Sequence, residues 1–120
     1  MGVDKLRGNI YTALMKALRK LEDKRDALLE ELGEVGPFME GSVGRNGWHC
    51  RTPRCRCQRG ELHRATILTW KEKQRTVSRH VPMALEAEVR QWTAEMRRVR
   101  SLIKQIAAVQ REIFYRLRER

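Results

Sequence analysis

Nowhere in the chain is there a run approaching the roughly 20 apolar residues that a membrane-spanning helix requires. The opening Met1-Gly2-Val3-Asp4 starts no apolar stretch of the secretory-signal kind. The expectation is a soluble, cytoplasmic protein with no membrane partner. Aromatic residues are scarce at 6%, while charged residues reach 34%. That balance argues against a thick globular core and for long helices, each with one apolar stripe and solvated flanks. Also missing are a glycine-rich phosphate loop, a nucleophile elbow and a paired-carboxylate signature. In the middle of the chain the only acids are Glu61 and Glu72. A non-catalytic protein is therefore expected. Cysteine is rare as well, and its odd count of 3 leaves at least one thiol outside any disulfide framework.

What cysteine there is lies in one place. Cys50, Cys55 and Cys57 fall within eight residues, and His63 follows, giving Cys-x4-Cys-x-Cys-x5-His. Cys55 and Cys57 are too close for an easy mutual disulfide, and a cytosolic compartment disfavours one anyway. Three thiols and an imidazole form the donor set of a structural zinc site, closed to water and so without catalytic chemistry. Pro53 and Gly60 bend the chain as a tight loop around a metal needs. His49 and His80 are alternatives to His63 as fourth ligand, and three free cysteines in a small hairpin module are the alternative to a metal.

Charge is concentrated around the same stretch. Residues 1–40 carry a net −1, residues 41–82 a net +8 and residues 83–120 a net +4, which together make the +11 of the chain. Arg45, Arg51, Arg54, Arg56, Arg59 and Arg64 interleave with the presumed ligands, and Arg75 and Arg79 follow. Guanidinium forks suit phosphates and guanine edges, so these eight are the candidate nucleic-acid contacts. A generally basic surface is the plainer reading. Trp48 and Trp70 are candidates for stacking on a base, or caps over the small core around the metal.

Three segments organise the chain. Residues 1–36 hold a helix over about 4–32, with Leu14, Leu21, Leu28 and Val35 at heptad spacing and Ile10, Ala17, Leu18 and Leu32 widening the face. Tyr11 and Met15 are expected to pack or shield. Gly33 and Gly36-Pro37 end the helix. Residues 37–82 form a Cys/His-rich basic module, opening on a glycine-rich connector (38–48) in which Gly41-Ser42-Val43 is a short-strand candidate. Two runs, 65–70 and 75–81, read as a zinc-knuckle-like β-hairpin whose turn lacks an Asn-Gly signal. In the second run Val77, Arg79 and Val81 share one face, and Thr76, Ser78 and His80 the other. Residues 83–120 form a long helix entered through Pro82. Its seam is Leu85, Val89, Trp92, Met96, Val99, Ile103, Ile106, Gln110, Ile113 and Leu117, at alternating spacings of four and three. Such a seam suits a coiled coil or a long bundle helix. Leu102 and Val109 broaden it, and Gln110 either fixes register or marks where the seam is exposed. The fold class is thus mainly α with a small β-hairpin, one domain overall. The longer second helix motivates a homodimer through 99–117, or a larger protein partner along 85–117.

The pieces Gly41-Ser42-Val43, Cys50 to Cys57 with Pro53, Gly60 to His63, Trp70 and Val81-Pro82 resemble, over about 41–110, a family of small bacterial proteins of unknown function. After the histidine that family has Gly-Pro and tyrosines, where this chain has Arg64-Ala65-Thr66-Ile67. Relatives look to be associated with phage and transposable elements, which implies a DNA- or RNA-related accessory role and supplies no activity. The expectation is a zinc-stabilised nucleic-acid-binding accessory protein, with a protein–protein adaptor or small inhibitor docking through the long helix as the alternative.

Overall fold

The computed structural model describes residues 2–119, with side chains from residue 9 onward. In chain order it has α1 (Gly2–Gly33), β1 (Ser42–Trp48), a 3₁₀ turn (Arg56–Arg59), β2 (His63–Glu72), β3 (Arg75–His80), a second 3₁₀ turn (Met83–Leu85) and α2 (Glu86–Arg118). This is the expected fold class, with one strand more than a hairpin. Two compact units make up the chain, one of residues 36–97 and the other of 1–35 with 98–120.

The 36–97 unit is built on a three-stranded antiparallel sheet in the order β1-β2-β3. The connector around 38–48, poor in strand-forming residues, becomes the seven-residue β1, paired with β2 from Ser42↔Thr69 to Trp48↔His63. Tertiary pairing overrides weak propensity here, because β2 offers a complete ladder of backbone partners. Gly41 makes the entry. Its φ of +143° is open to glycine and strained for other residues, and the Leu68 side chain and the Thr69 carbonyl close over the space a Cβ would need. At the other end of β2, Glu72↔Arg75 closes a two-residue loop in which Lys73 and Gln74 both have positive φ, 49° and 67°. Both central residues of a type I′ turn need that sign, here met without glycine.

Paired residues put their side chains on a common face. Val43, Thr66, Leu68, Trp70, Val77 and Val81 share one, with Arg79 opposite Leu68. Thr76, Ser78 and His80 point the other way, and Ser78 exchanges a hydroxyl hydrogen bond of 3.2 Å with Thr69. The first face is roofed by the start of α2. Leu68, Val81 and Val89 form a buried cluster, with Met39, Val43, Trp70 and Trp92 packed on it. Each buried aliphatic side chain contributes about 1.5–3 kcal/mol of transfer free energy. The segment leading into β1 is fastened to the same helix, the amide of Met39 donating to the Trp92 carbonyl (3.1 Å) and that of Gly36 to Glu95 Oε2 (3.4 Å).

In the other unit α1 and the later turns of α2 run antiparallel. Leu18 is buried with Val109 and Ile113, and Leu14, Leu21 and Leu28 flank them. Arg98 pairs with Glu31 at 3.3 Å, and Arg25 donates to Gln110 at 3.2 Å. Ile10, expected on the apolar face, and Tyr11 and Met15, expected to pack or shield, are exposed.

The buried line of α2 departs from the seam read in the sequence. Val89, Val99, Leu102, Val109 and Ile113 are buried, whereas Leu85, Ile103 and Leu117 are exposed. Leu102 is 3% exposed and its neighbour Ile103 52%. Helical geometry explains the difference. A straight α-helix drifts about 20° per heptad against a strict 3.5-residue repeat, so a line from residue 85 to 117 turns through roughly 90°. Leu102 and Val109, which seemed to broaden the seam, become its inner side. Gln110 lies exposed and is held by Arg25.

Candidate metal centre

β1 and β2 are neighbouring strands whose ends the loop 49–62 joins, so everything in that loop returns to one end of the sheet. The loop turns at residues 52–55, where the amide of Cys55 donates to the Thr52 carbonyl (3.2 Å), and then winds into the 3₁₀ turn Arg56–Arg59. Gly60, left-handed at φ 100°, closes that turn, and its amide and that of Glu61 reach back to the carbonyls of Cys57 and Arg56. A β-carbon would be strained at this φ, which is why glycine stands there. β2 then begins on His63 itself.

The winding gathers four side chains. The Sγ atoms of Cys50, Cys55 and Cys57 and a ring nitrogen of His63 all lie within 4.8 Å of one another. Cys50 Sγ is 3.5 Å from Cys57 Sγ, and Cys55 Sγ is 3.0 Å from His63 Nε2. Neighbouring sulfurs of a tetrahedral thiolate site stand about 3.8 Å apart, so the spread is that of one four-coordinate shell. The Cys₃His cluster is positioned to bind a metal ion. His49 and His80, both exposed, are outside the group.

The surroundings act on the sulfurs in opposite senses. Cys57 is fully buried at 0% exposure, and its sulfur accepts from the Cys50 amide (3.2 Å) and from Gln58 Nε2 (3.8 Å). The same Gln58 amide donates to the Cys50 carbonyl at 2.9 Å and so ties the ends of the loop together. Partners of this kind orient metal ligands and tune their basicity. Nothing in the cysteine spacing marks Gln58; it sits beside Cys57 and reads as a polar loop residue. Hydrogen bonding from the backbone at Thr52, then from the Cys55 and Cys57 thiols, pulls the Cys50 thiol down to about 6. Burial pushes the Cys57 thiol up. Over the outer side of the cluster lies Trp48, stacked on the His63 ring with centroids 5.7 Å apart and planes inclined by 27°. Trp70 is elsewhere, in the sheet–helix core, its indole N–H donating to Glu72 at 3.3 Å.

The eight arginines do not form one patch. Arg51, Arg54, Arg56 and Arg59 are exposed on the loop, each within two residues of a ligand cysteine. Among the described residues none of these four makes an ion pair. Arg45 and Arg64 lie on the helix-facing side of the sheet, where with Thr66, Val81 and Glu86 they line a hollow of about 230 Å³. Glu86 is held below the usual carboxylate range, first by Arg90 (3.2 Å) and then by the Thr66 hydroxyl. Arg75 lies at the β2–β3 turn opposite Glu72, and Arg79 donates to the Ser78 carbonyl at 2.9 Å.

A family model described as a domain of unknown function (DUF6788) matches residues 18–91, well over half of the chain. The chain belongs to this family. The matched span holds the whole sheet, the four-ligand cluster and the first turns of α2, so the family's domain includes the cluster and the strands that carry it. Neither a curated protein nor a solved structure matches. No described helix is long and apolar enough to cross a membrane.

Proposed function

We propose that this member of the family is a non-catalytic, zinc-stabilised accessory protein that binds nucleic acid, in a mobile-element or regulatory setting. The observation that carries the reading is a closed Cys₃His cluster inside a segment of net +8, with four exposed guanidiniums on the cluster's own loop. Three thiols with one imidazole are a soft, tetrahedral donor set that suits zinc over magnesium or calcium. When bound, the ion would supply folding free energy and hold the loop arginines in fixed directions. The chain's own residues do the rest. Gln58 and the Cys50 amide hydrogen-bond the Cys57 sulfur and offset part of the cost of burying its thiolate, and Trp48 shields the His63 ring. Arg51, Arg54, Arg56 and Arg59 present donors to phosphate oxygens.

Two measurements test this. Elemental analysis of the purified protein should find one zinc per chain, lost in Cys57→Ser; a metal-free, fully folded protein would defeat the zinc half. Binding to short duplex DNA, single strands and RNA should weaken on the order of a thousandfold between about 50 and 200 mM salt if six or more phosphates are contacted. No binding at micromolar protein in low salt would remove the nucleic-acid half. The exposed Ile103, Phe114 and Leu117 on α2 favour a second reading, an adaptor docking a protein partner along that helix. Under it, charge reversal at Arg54, Arg56 and Arg59 leaves function intact while polar substitution at Ile103 abolishes it.

A further inference from the structure

The strand pairing leaves one side of the sheet outside the helix-packed core. The hydrophobic cluster of this unit draws its strand residues, Val43, Leu68, Trp70 and Val81, from the helix-facing side alone. The opposite side carries Gly44, Asn46 and Trp48 along β1, with Ile67 in the middle of β2 and Ser78 and His80 on β3. Gly44, Asn46, Ser78 and His80 are exposed, Ile67 is half-buried, and Ala65, the small residue opposite Asn46, is buried. Space above Gly44 is open, since a Cβ there would meet no atom within 4 Å. At the knuckle end of this bare track stands Trp48, 45% exposed although one side of its ring is taken by His63. From Gly44 to Trp48 the track is about 13 Å long, and the loop with its four guanidiniums begins at the next residue.

We propose that this face binds single-stranded nucleic acid, with one base stacked on the free side of Trp48 and its neighbours laid across Gly44 and Ile67. The proposal rests on the nucleic-acid reading above and narrows it. A sheet face bearing an exposed aromatic ring, small residues that let bases approach, and cationic side chains at one end combines the two elements of single-strand binding, a stacking platform and an electrostatic groove. A duplex offers no unstacked base to Trp48, so only its phosphates would engage the arginines. Charge complementarity selects a polyanion over an apolar peptide for this surface. The stack also gives the family's domain a way of coupling ligand and metal, because the ring that would hold the base shields a metal ligand on its other side.

The test compares a 12-nucleotide oligo(dT), an oligo(U) of equal length and a 12-base-pair duplex at one salt concentration, by anisotropy and by quenching of tryptophan fluorescence. At least one single strand should bind more tightly than the duplex and quench the emission. Trp48→Ala should weaken that strand about five- to a hundredfold and leave the duplex within twofold, with Trp48→Phe in between. Zinc content is measured on each variant. Should Trp48→Ala lose its metal, Gly44→Glu decides, since that side chain enters open space far from the ligands and sets a carboxylate on the track. It should weaken single-strand binding at least tenfold with zinc content unchanged. Equal binding of strand and duplex, or single-strand affinity indifferent to both Trp48→Phe and Gly44→Glu, overturns the proposal while leaving the broader reading standing. Failure of all three nucleic acids to bind, with capture of an acidic peptide instead, overturns both.

Discussion

Gly41 and Gly44 stand three residues apart at the start of β1 and make opposite demands. An alanine Cβ at Gly41 would come within 2.6 Å of Leu68 Cδ1 and 3.2 Å of the Thr69 carbonyl, at a φ of +143°. The backbone strain costs about 1–3 kcal/mol. Displacing Leu68, which sits at the centre of the sheet–helix cluster, adds about 1–3 kcal/mol of overpacking. Gly41→Ala is therefore expected to destabilise by about 2–6 kcal/mol, a large share of the 5–15 kcal/mol typical of a whole domain. At Gly44 the same methyl meets nothing. There Gly→Ala should be neutral or stabilise by up to about 1 kcal/mol, through the lower entropy of the unfolded chain. Urea unfolding followed by tryptophan emission is the assay, since Trp70 and Trp92 pack on the cluster that Gly41→Ala disturbs. The midpoint should fall for Gly41→Ala and hold for Gly44→Ala, at equal slopes. Two variants within about 0.5 kcal/mol of each other would refute this account of how β1 enters the sheet.

Three further expectations follow from the same geometry. Replacing Lys73-Gln74 with Asn-Gly removes two side chains from left-handed backbone and should raise stability by about 1 kcal/mol or more, read as a thermal shift; no gain would argue against a type I′ turn. Leu102→Ala should cost about 2–5 kcal/mol and Ile103→Ala well under 1 kcal/mol, measured by helical CD on denaturation; the reverse order would restore the strict heptad seam. Glu86, whose carboxyl is depressed by Arg90 and the Thr66 hydroxyl, stabilises the fold while ionised. That contribution is present above the ordinary carboxylate pKa and is lost as pH falls through the lower folded value. Glu86→Gln should flatten the acid limb of a pH–stability profile, and an unchanged limb would show that another group dominates it.

The elements most legible in the sequence were those with a strong local pattern. Leu14, Leu18, Leu21 and Leu28 repeat as a helix does, and they face the core of α1. The cysteine cluster announced a ligand set because four donors so close together have few other uses, and His63 joined it in space. Less legible was anything set by pairing at a distance. β1 contains Gly44, Asn46 and Gly47, none a strand former, and is a strand only because β2 completes its hydrogen bonds. The long helix shows a subtler limit. Ile103 and Leu102 are equally apolar neighbours, and only the accumulated drift between 3.5 and 3.6 residues per turn decides which one turns inward. The arginines mark a basic segment, but strand alternation divides them, sending Arg45 and Arg64 towards Glu86 and leaving the loop four around the cluster.

His63 holds two positions at once. It closes the ligand shell, and it is the ladder partner of Trp48 at the last rung of β1–β2. Side chains alternate across a sheet, so a slip of one residue between these strands would swing His63 to the opposite face, away from the three sulfurs. Whatever ion the shell takes can therefore be held in only one alignment of the strands. For a strand as weakly specified as β1, a bound ion would make the shell an indexing pin: ion capture and correct strand alignment would become a single equilibrium, and a misaligned sheet would be one that cannot be metallated.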